Sequence, residues 1–167
     1  MSKDNELAQA EDGHRGVLQR QECEMLWALA DRVEREDPNP YIASAILVAA
    51  GHQTLYRGEK LGWEWRKDGK GIWSTMPRPD LSQDAADTLR PEGAEYSLST
   101  LYGLAQVECP LNSDDCQGGA RNDGNVPMAL CAGFLRARAA LKHAALTKAE
   151  GSNPSSPSSE AARTPPT

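Results

Sequence analysis

Pro38-Asn39-Pro40-Tyr41-Ile42-Ala43-Ser44-Ala45-Ile46-Leu47-Val48-Ala49-Ala50-Gly51 is the most apolar stretch of a hydrophilic chain, and its reading decides the fold. From Tyr41 to Ala50 only Ser44 is polar. Such a run must be buried, yet it is too short to cross a bilayer, which takes ~20 apolar residues. Alanine and leucine favour a helix, Pro40 suits a first helical turn and Gly51 is a natural stop. Apolar residues fall on every face, which predicts a central helix covered on all sides. His52-Gln53-Thr54-Leu55-Tyr56-Arg57 follows, where a buried helix delivers its end to a surface. That is a favourable place for a site.

Working outward, Val17 to Glu36 reads as a helix. Cys23, Leu26, Ala30 and Val33 recur at three- and four-residue spacings, and Leu29 widens their stripe. Downstream, Gly62-Trp63-Glu64-Trp65-Arg66-Lys67-Asp68-Gly69-Lys70-Gly71-Ile72-Trp73-Ser74-Thr75 predicts a hairpin turning at Asp68-Gly69. Strand alternation puts Trp63 and Trp65 on one face and Glu64 on the other. Ser82 caps a short helix over Gln83 to Leu89. Tyr96 to Pro110 is extended, and a polar loop runs from Asn112 to Gly124. The last helix starts near Asn125-Val126-Pro127, with Leu130, Phe134, Ala137 and Leu141 as its buried stripe. Arg136, Arg138, Lys142 and Lys148 give it a basic, solvated side. The sum is a mainly α-helical α+β domain with one small Trp-rich β-hairpin.

The 167 residues divide into a flexible acidic segment at 1–14, one globular domain at 15–149 and a disordered tail at 150–167. The tail is rich in Ser and Pro and has no large apolar residue to offset its ordering entropy. The net charge is −6, of which about −3 lies in residues 1–14 and −1 in the tail. An acidic chain argues against nucleic-acid binding. Met1-Ser2-Lys3-Asp4-Asn5-Glu6 has no apolar signal core, and no membrane span is expected. Those features point to a cytoplasmic product, or to one exported without a cleaved signal.

Four cysteines, Cys23, Cys109, Cys116 and Cys131, include no CxxC pair, so no metal site is expected. Cys109 and Cys116 bracket a loop and either pair or stay free thiols, as the redox compartment decides. Asp114, Asp115 and Asp123 lack the spacing of a calcium loop. No cofactor is implied. Trp63, Trp65 and Trp73 have three possible roles: covering the helical core, stacking on sugar rings, or anchoring a protein partner.

The collinear order of these pieces resembles the lysozyme-like lytic transglycosylase domain, in the variety found in mobile-element and type IV secretion systems. Ala28 to Val48 is similar to its opening helix pair, and Trp63-Glu64-Trp65 through Gly71-Ile72-Trp73 to its aromatic hairpin. Gly103-Leu104-Ala105-Gln106-Val107 resembles its glycine-glutamine motif, and Asn125 with Phe134-Leu135-Arg136 its closing helix. The resemblance spans roughly residues 26–146 and implies a lysozyme-like fold directed at peptidoglycan. It implies a groove in which Gln53, Tyr56, Trp63, Trp65, Trp73, Tyr102, Gly103 and Gln106 contact glycan, with Leu104 and Val107 as core anchors. Glycosidic cleavage needs a carboxylic acid, which the resemblance places at the end of the central helix. Gly51-His52-Gln53-Thr54 stands there instead, and Glu59 and Glu64 are the substitutes within reach. The motif also normally continues with Asn, where this chain has Glu108. The expectation is a degenerate enzyme kept for binding, or one with a relocated acid. The alternative is a small non-enzymatic phage or mobile-element protein that binds and modulates a host protein through its Trp hairpin.

Two other enzyme patterns are partly present. Arg57 with Ser74-Thr75 resembles the Arg and Ser-Thr elements that hold NAD in ADP-ribosyltransferases. Their Glu-x-Glu is absent, since two residues separate Glu92 and Glu95. Arg138 to His143 resembles the Arg-x4-His of HEPN ribonucleases, and Arg136 gives the x6 spacing. Ala139 stands where that family carries a polar residue.

Overall fold

The last helix is the one the rest is built on. In the computed structural model, which describes residues 3–99, 104–108, 117–119 and 124–151, α1 is Lys3–Arg35, α2 is Pro40–Ala49 and α3 is Gln83–Asp87. The closing helix, α4, is Val126–Gly151. Strands β1 (Gln53–Tyr56), β2 (Trp63–Arg66) and β3 (Ser74–Thr75) form one antiparallel sheet. β4 (Glu95–Ser99), β5 (Leu104–Glu108) and β6 (Gln117–Gly119) form a second. The architecture is mixed α and β, mostly helix, with two small sheets among the described residues. Tyr102, Gly103, Cys109, Cys116, the three loop aspartates and the tail beyond Gly151 lie outside them.

α4 packs along α1 and also against α3, β5 and β6. It buries two faces rather than one stripe: Leu130, Phe134 and Ala137 as expected, and also Met128, Cys131, Leu135 and Ala139. Alanines at 129, 132, 137 and 139 leave room for close neighbours on both sides. Asn125 Oδ1 caps the helix by accepting from Met128 N at 3.1 Å. Its basic side is solvated only in part: Lys142 and Lys148 are exposed as expected, whereas Arg136 and Arg138 are half-buried. Arg136 donates to Glu34 at 2.5 Å and Asp31 at 2.8 Å, Lys142 pairs with Glu22 at 2.5 Å, and Arg138 Nη2 donates to the Leu89 carbonyl. Acidic residues on α1 account for the Arg136 and Lys142 contacts.

α1 buries the expected Cys23, Leu26, Ala30 and Val33, but the helix starts at Lys3 rather than Val17. α2 has the expected ends. Asn39 Oδ1 accepts from Ile42 N at 2.9 Å ahead of Pro40. At the C-terminus His52 N donates to Leu47 O and Gly51 N to Val48 O, a Schellman motif in which Gly51 takes φ +95°. The expectation of cover on all sides is corrected. Ile42, Ala43, Ile46 and Leu47 are buried, but Tyr41 and Val48 are exposed.

The hairpin is also corrected. Asp68 (φ 50°) and Gly69 (φ 67°) form the expected tight turn, closed by Lys70 N on Lys67 O at 2.9 Å. The ladder, however, pairs Glu64 with Thr75 and Trp65 with Ser74. That register is two residues longer than the turn alone would set, so Gly71 and Ile72 loop outward and Ile72 is 91% exposed. On its other edge β2 takes a third strand, β1, with Gln53 opposite Arg66 and Tyr56 opposite Trp63.

Candidate functional site

Alternation divides the first sheet into two chemically different faces. The inner face carries Thr54 and Tyr56 on β1 and Trp63 and Trp65 on β2. Trp63 and Trp65 are half-buried against the core. Tyr41 of α2 meets Trp63 edge-on at 5.6 Å, and Tyr56 lies against the same indole at 5.4 Å. Ser44 and Thr54 share a 2.6 Å hydrogen bond, which gives the single polar residue of the apolar run its partner. His52, with only 9% of its side chain exposed, sits edge-on to Trp65 at 5.2 Å. The Asp68 backbone N–H donates to His52 Nδ1 at 3.2 Å, which requires an unprotonated Nδ1. Burial pushes the imidazole below the ordinary 6.5, and the nearby Asp68 carboxylate pulls the other way without winning.

The outer face is polar and aromatic. Arg57 Nε donates to Glu64 Oε2 at 2.8 Å, and Arg66 Nη2 donates to Gln53 Oε1. Both guanidiniums lie over the Trp73 ring, Arg66 Cζ at 4.9 Å and Arg57 Cζ at 5.9 Å from its centroid. Arg66 Nε is shielded from solvent and has no acceptor among the described residues. Exposed Leu55 and Ile72 stand on β1 and in the loop after β2. Residues 53–75 carry five Lys or Arg against three Asp or Glu, a basic patch in an acidic chain.

The sequence-derived candidates therefore divide. Gln53, Glu64 and Trp73 come together on the outer face, whereas Tyr56, Trp63 and Trp65 face inward. Glu59 is exposed at the β1–β2 turn, and Glu64 is held by Arg57. Gln106 belongs to the second sheet, opposite Ser97 and Gln117, with Ala105 and Val107 buried on the other face of β5. Val107 is the expected anchor, and Ala105 shares its face because the segment is a strand. Arg57 and Ser74 lie on opposite faces of the first sheet by register, which separates the two NAD-type elements. Arg138 bonds the Leu89 carbonyl while His143 lies against Trp27 of α1, so the Arg-x4-His residues do not converge. Cys23 and Cys131 are buried free thiols. Sequence reading missed Arg66 and Ile72. Had Gln53 to Tyr56 been read as a strand, alternation would have aligned Gln53, Leu55 and Arg57 with Glu64 and Arg66.

Comparison with known proteins adds no relative: no family model matches the chain, and no curated protein or solved structure does. No helix among the described residues is long and apolar enough to cross a membrane. No described group of three or more His, Cys, Asp or Glu is placed to hold a metal ion.

Proposed function

We propose that the protein is a non-enzymatic binding module that presents the outer face of its first sheet to a partner protein, in the setting of a phage or mobile element a host protein. The observation that carries this is Trp73 under the Arg57 and Arg66 guanidiniums, beside exposed Leu55 and Ile72. Trp and Arg are the residue types that dominate interface energy. The cation–π contacts hold the indole in place before binding, which lowers the ordering cost. The excess of basic residues selects an acidic rim around a pocket for the indole and Ile72. Capture from host lysate should yield one partner at stoichiometric level that is lost with Trp73→Ala and Ile72→Ser. It should be retained with Leu81→Ser, a change at an exposed leucine elsewhere. Equal capture by all variants would end this reading.

A second reading keeps the peptidoglycan-directed proposal, on the same face. Trp73 is a platform for a sugar ring, and Gln53, Glu64 and Arg57 offer both donors and acceptors to hydroxyl and N-acetyl groups. It predicts binding to murein fragments or chitooligosaccharides that falls with Trp73→Ala. Clearing of a murein zymogram that disappears with Glu59→Gln or Glu64→Gln would make the protein an enzyme. No glycan binding by the parent protein would leave the protein-partner reading alone.

A further inference from the structure

One face of α1 is only partly covered by the described residues, with Leu29 touching the core at its edge. Roughly a quarter turn around the helix from the buried Cys23, Leu26, Ala30 and Val33 lie Leu18, Glu22, Met25, Leu29, Arg32 and Glu36. Their spacings alternate between four and three residues, the seam of a helix pair. Leu18 is half exposed and Met25 is 71% exposed. Between this stripe and α2 lies a groove of about 640 Å³, with Tyr41, Ala45 and Val48 on its α2 side and Lys142 of α4 also in its lining. The stripe runs from residue 18 to residue 36, about 27 Å of helix, which is long enough for several turns of contact.

We propose that this face is a two-fold interface between copies of this chain, with α1 packed antiparallel on α1 of the second copy. Charge complementarity names the occupant. Positions 22 and 32, and positions 25 and 29, are symmetric about position 27; positions 18 and 36 are as well, but Leu18 and Glu36 make no charge pair. An antiparallel crossing there sets Glu22 against Arg32 of the partner subunit, and the two-fold axis makes that pair twice. It sets Met25 against Leu29 of the partner subunit, over the groove walled by Tyr41 and Val48. A parallel crossing would instead oppose Glu22 to its own copy and Arg32 to its own copy, and like charges repel. Within the chain Glu22 is paired with Lys142 and Arg32 with Glu36. Exposed pairs of this kind contribute little, so sharing or exchanging them on association costs little. The contact is self-complementary and closed, as a two-fold dimer requires.

The test is sedimentation velocity on the full chain, with circular dichroism as the check on folding. The parent should be a dimer. Met25→Glu, Glu22→Arg and Arg32→Glu should each shift it to monomer without loss of helix, since all three side chains are exposed. The double change Glu22→Arg with Arg32→Glu should restore the dimer. An equimolar mixture of the two single charge variants should form a heterodimer, because one then carries two basic and the other two acidic residues at the crossing. A parent that stays monomeric up to millimolar concentration overturns the proposal. So does a dimer that survives Met25→Glu, or a double variant that stays monomeric.

Discussion

The two small sheets are built from the same number of short antiparallel strands and are used in opposite ways. The second sheet lies on α4, with Ala105 and Val107 fully buried and Tyr96 edge-on to Phe134 at 5.6 Å. Small residues let it sit close to an alanine-rich helix. The first sheet sits at the end of α2 and is covered on one side by large rings, Trp63 and Trp65, each only half-buried. Its other side is left to Arg57, Arg66 and Trp73. Close packing of small residues makes a core, whereas partly covered aromatic residues leave surface available for binding.

That contrast can be broken or sharpened by substitution. Phe134→Ala, in the seam between α4 and the second sheet, should lower stability by about 3–5 kcal/mol, the usual cost of deleting a buried aromatic. Denaturant unfolding measures it, and a loss under about 1 kcal/mol would mean that the second sheet is not part of the main core. Trp65→Ala removes the inner cover of the first sheet and the edge contact with His52. Being half-buried, it should cost less, about 2–3 kcal/mol by the same measurement.

The next effect is a pH dependence. The folded His52 is held below 6.5, so the unfolded chain binds more protons at and just below that value. The stability this burial contributes is fully present above pH 6.5 and is lost as pH falls toward the folded value. The melting temperature should drop over that range in the parent, and the drop should be smaller in His52→Gln. An identical pH profile in the two proteins would remove His52 from the account. The smallest effect should come from Gln106→Ala, on the face of β5 turned away from Val107. A surface change of this kind lies within about 0.5 kcal/mol. A larger loss of stability, or a loss of murein binding, would show that this face is covered or used.

How much of this was legible depended on how local the signal was. The Pro40 start and Gly51 stop of α2, the Ser82 cap, the Asp68-Gly69 turn and the α1 stripe of Cys23, Leu26, Ala30 and Val33 all read correctly. Each depends on side chains within a few residues of one another. The opposite faces of Trp63 and Glu64 also followed from alternation alone. The outer-face cluster was only half legible. Gln53, Glu64 and Trp73 were candidates, but Arg66 becomes their neighbour only through pairing across β1 and β2.

By itself, then, the sequence determined the ends of α2, the start of α3, the tight turn and the apolar side of α1. Backbone conformational preference and side-chain periodicity act over one or two turns, so those outcomes are set within a short window. Only the tertiary structure decided that α4 rather than α2 is central. The apolar run at Tyr41–Ala50 has the stronger hydrophobicity, but the alanines of α4 allow close approach on two sides, and burial follows from how many neighbours can come near. The tertiary structure likewise decided that the basic side of α4 meets acid on α1, because Glu34 and Arg136 are distant in sequence and joined only by packing. The register of β3 was decided there as well, for the ladder across β2 sets it two residues beyond what the Asp68-Gly69 turn alone would choose.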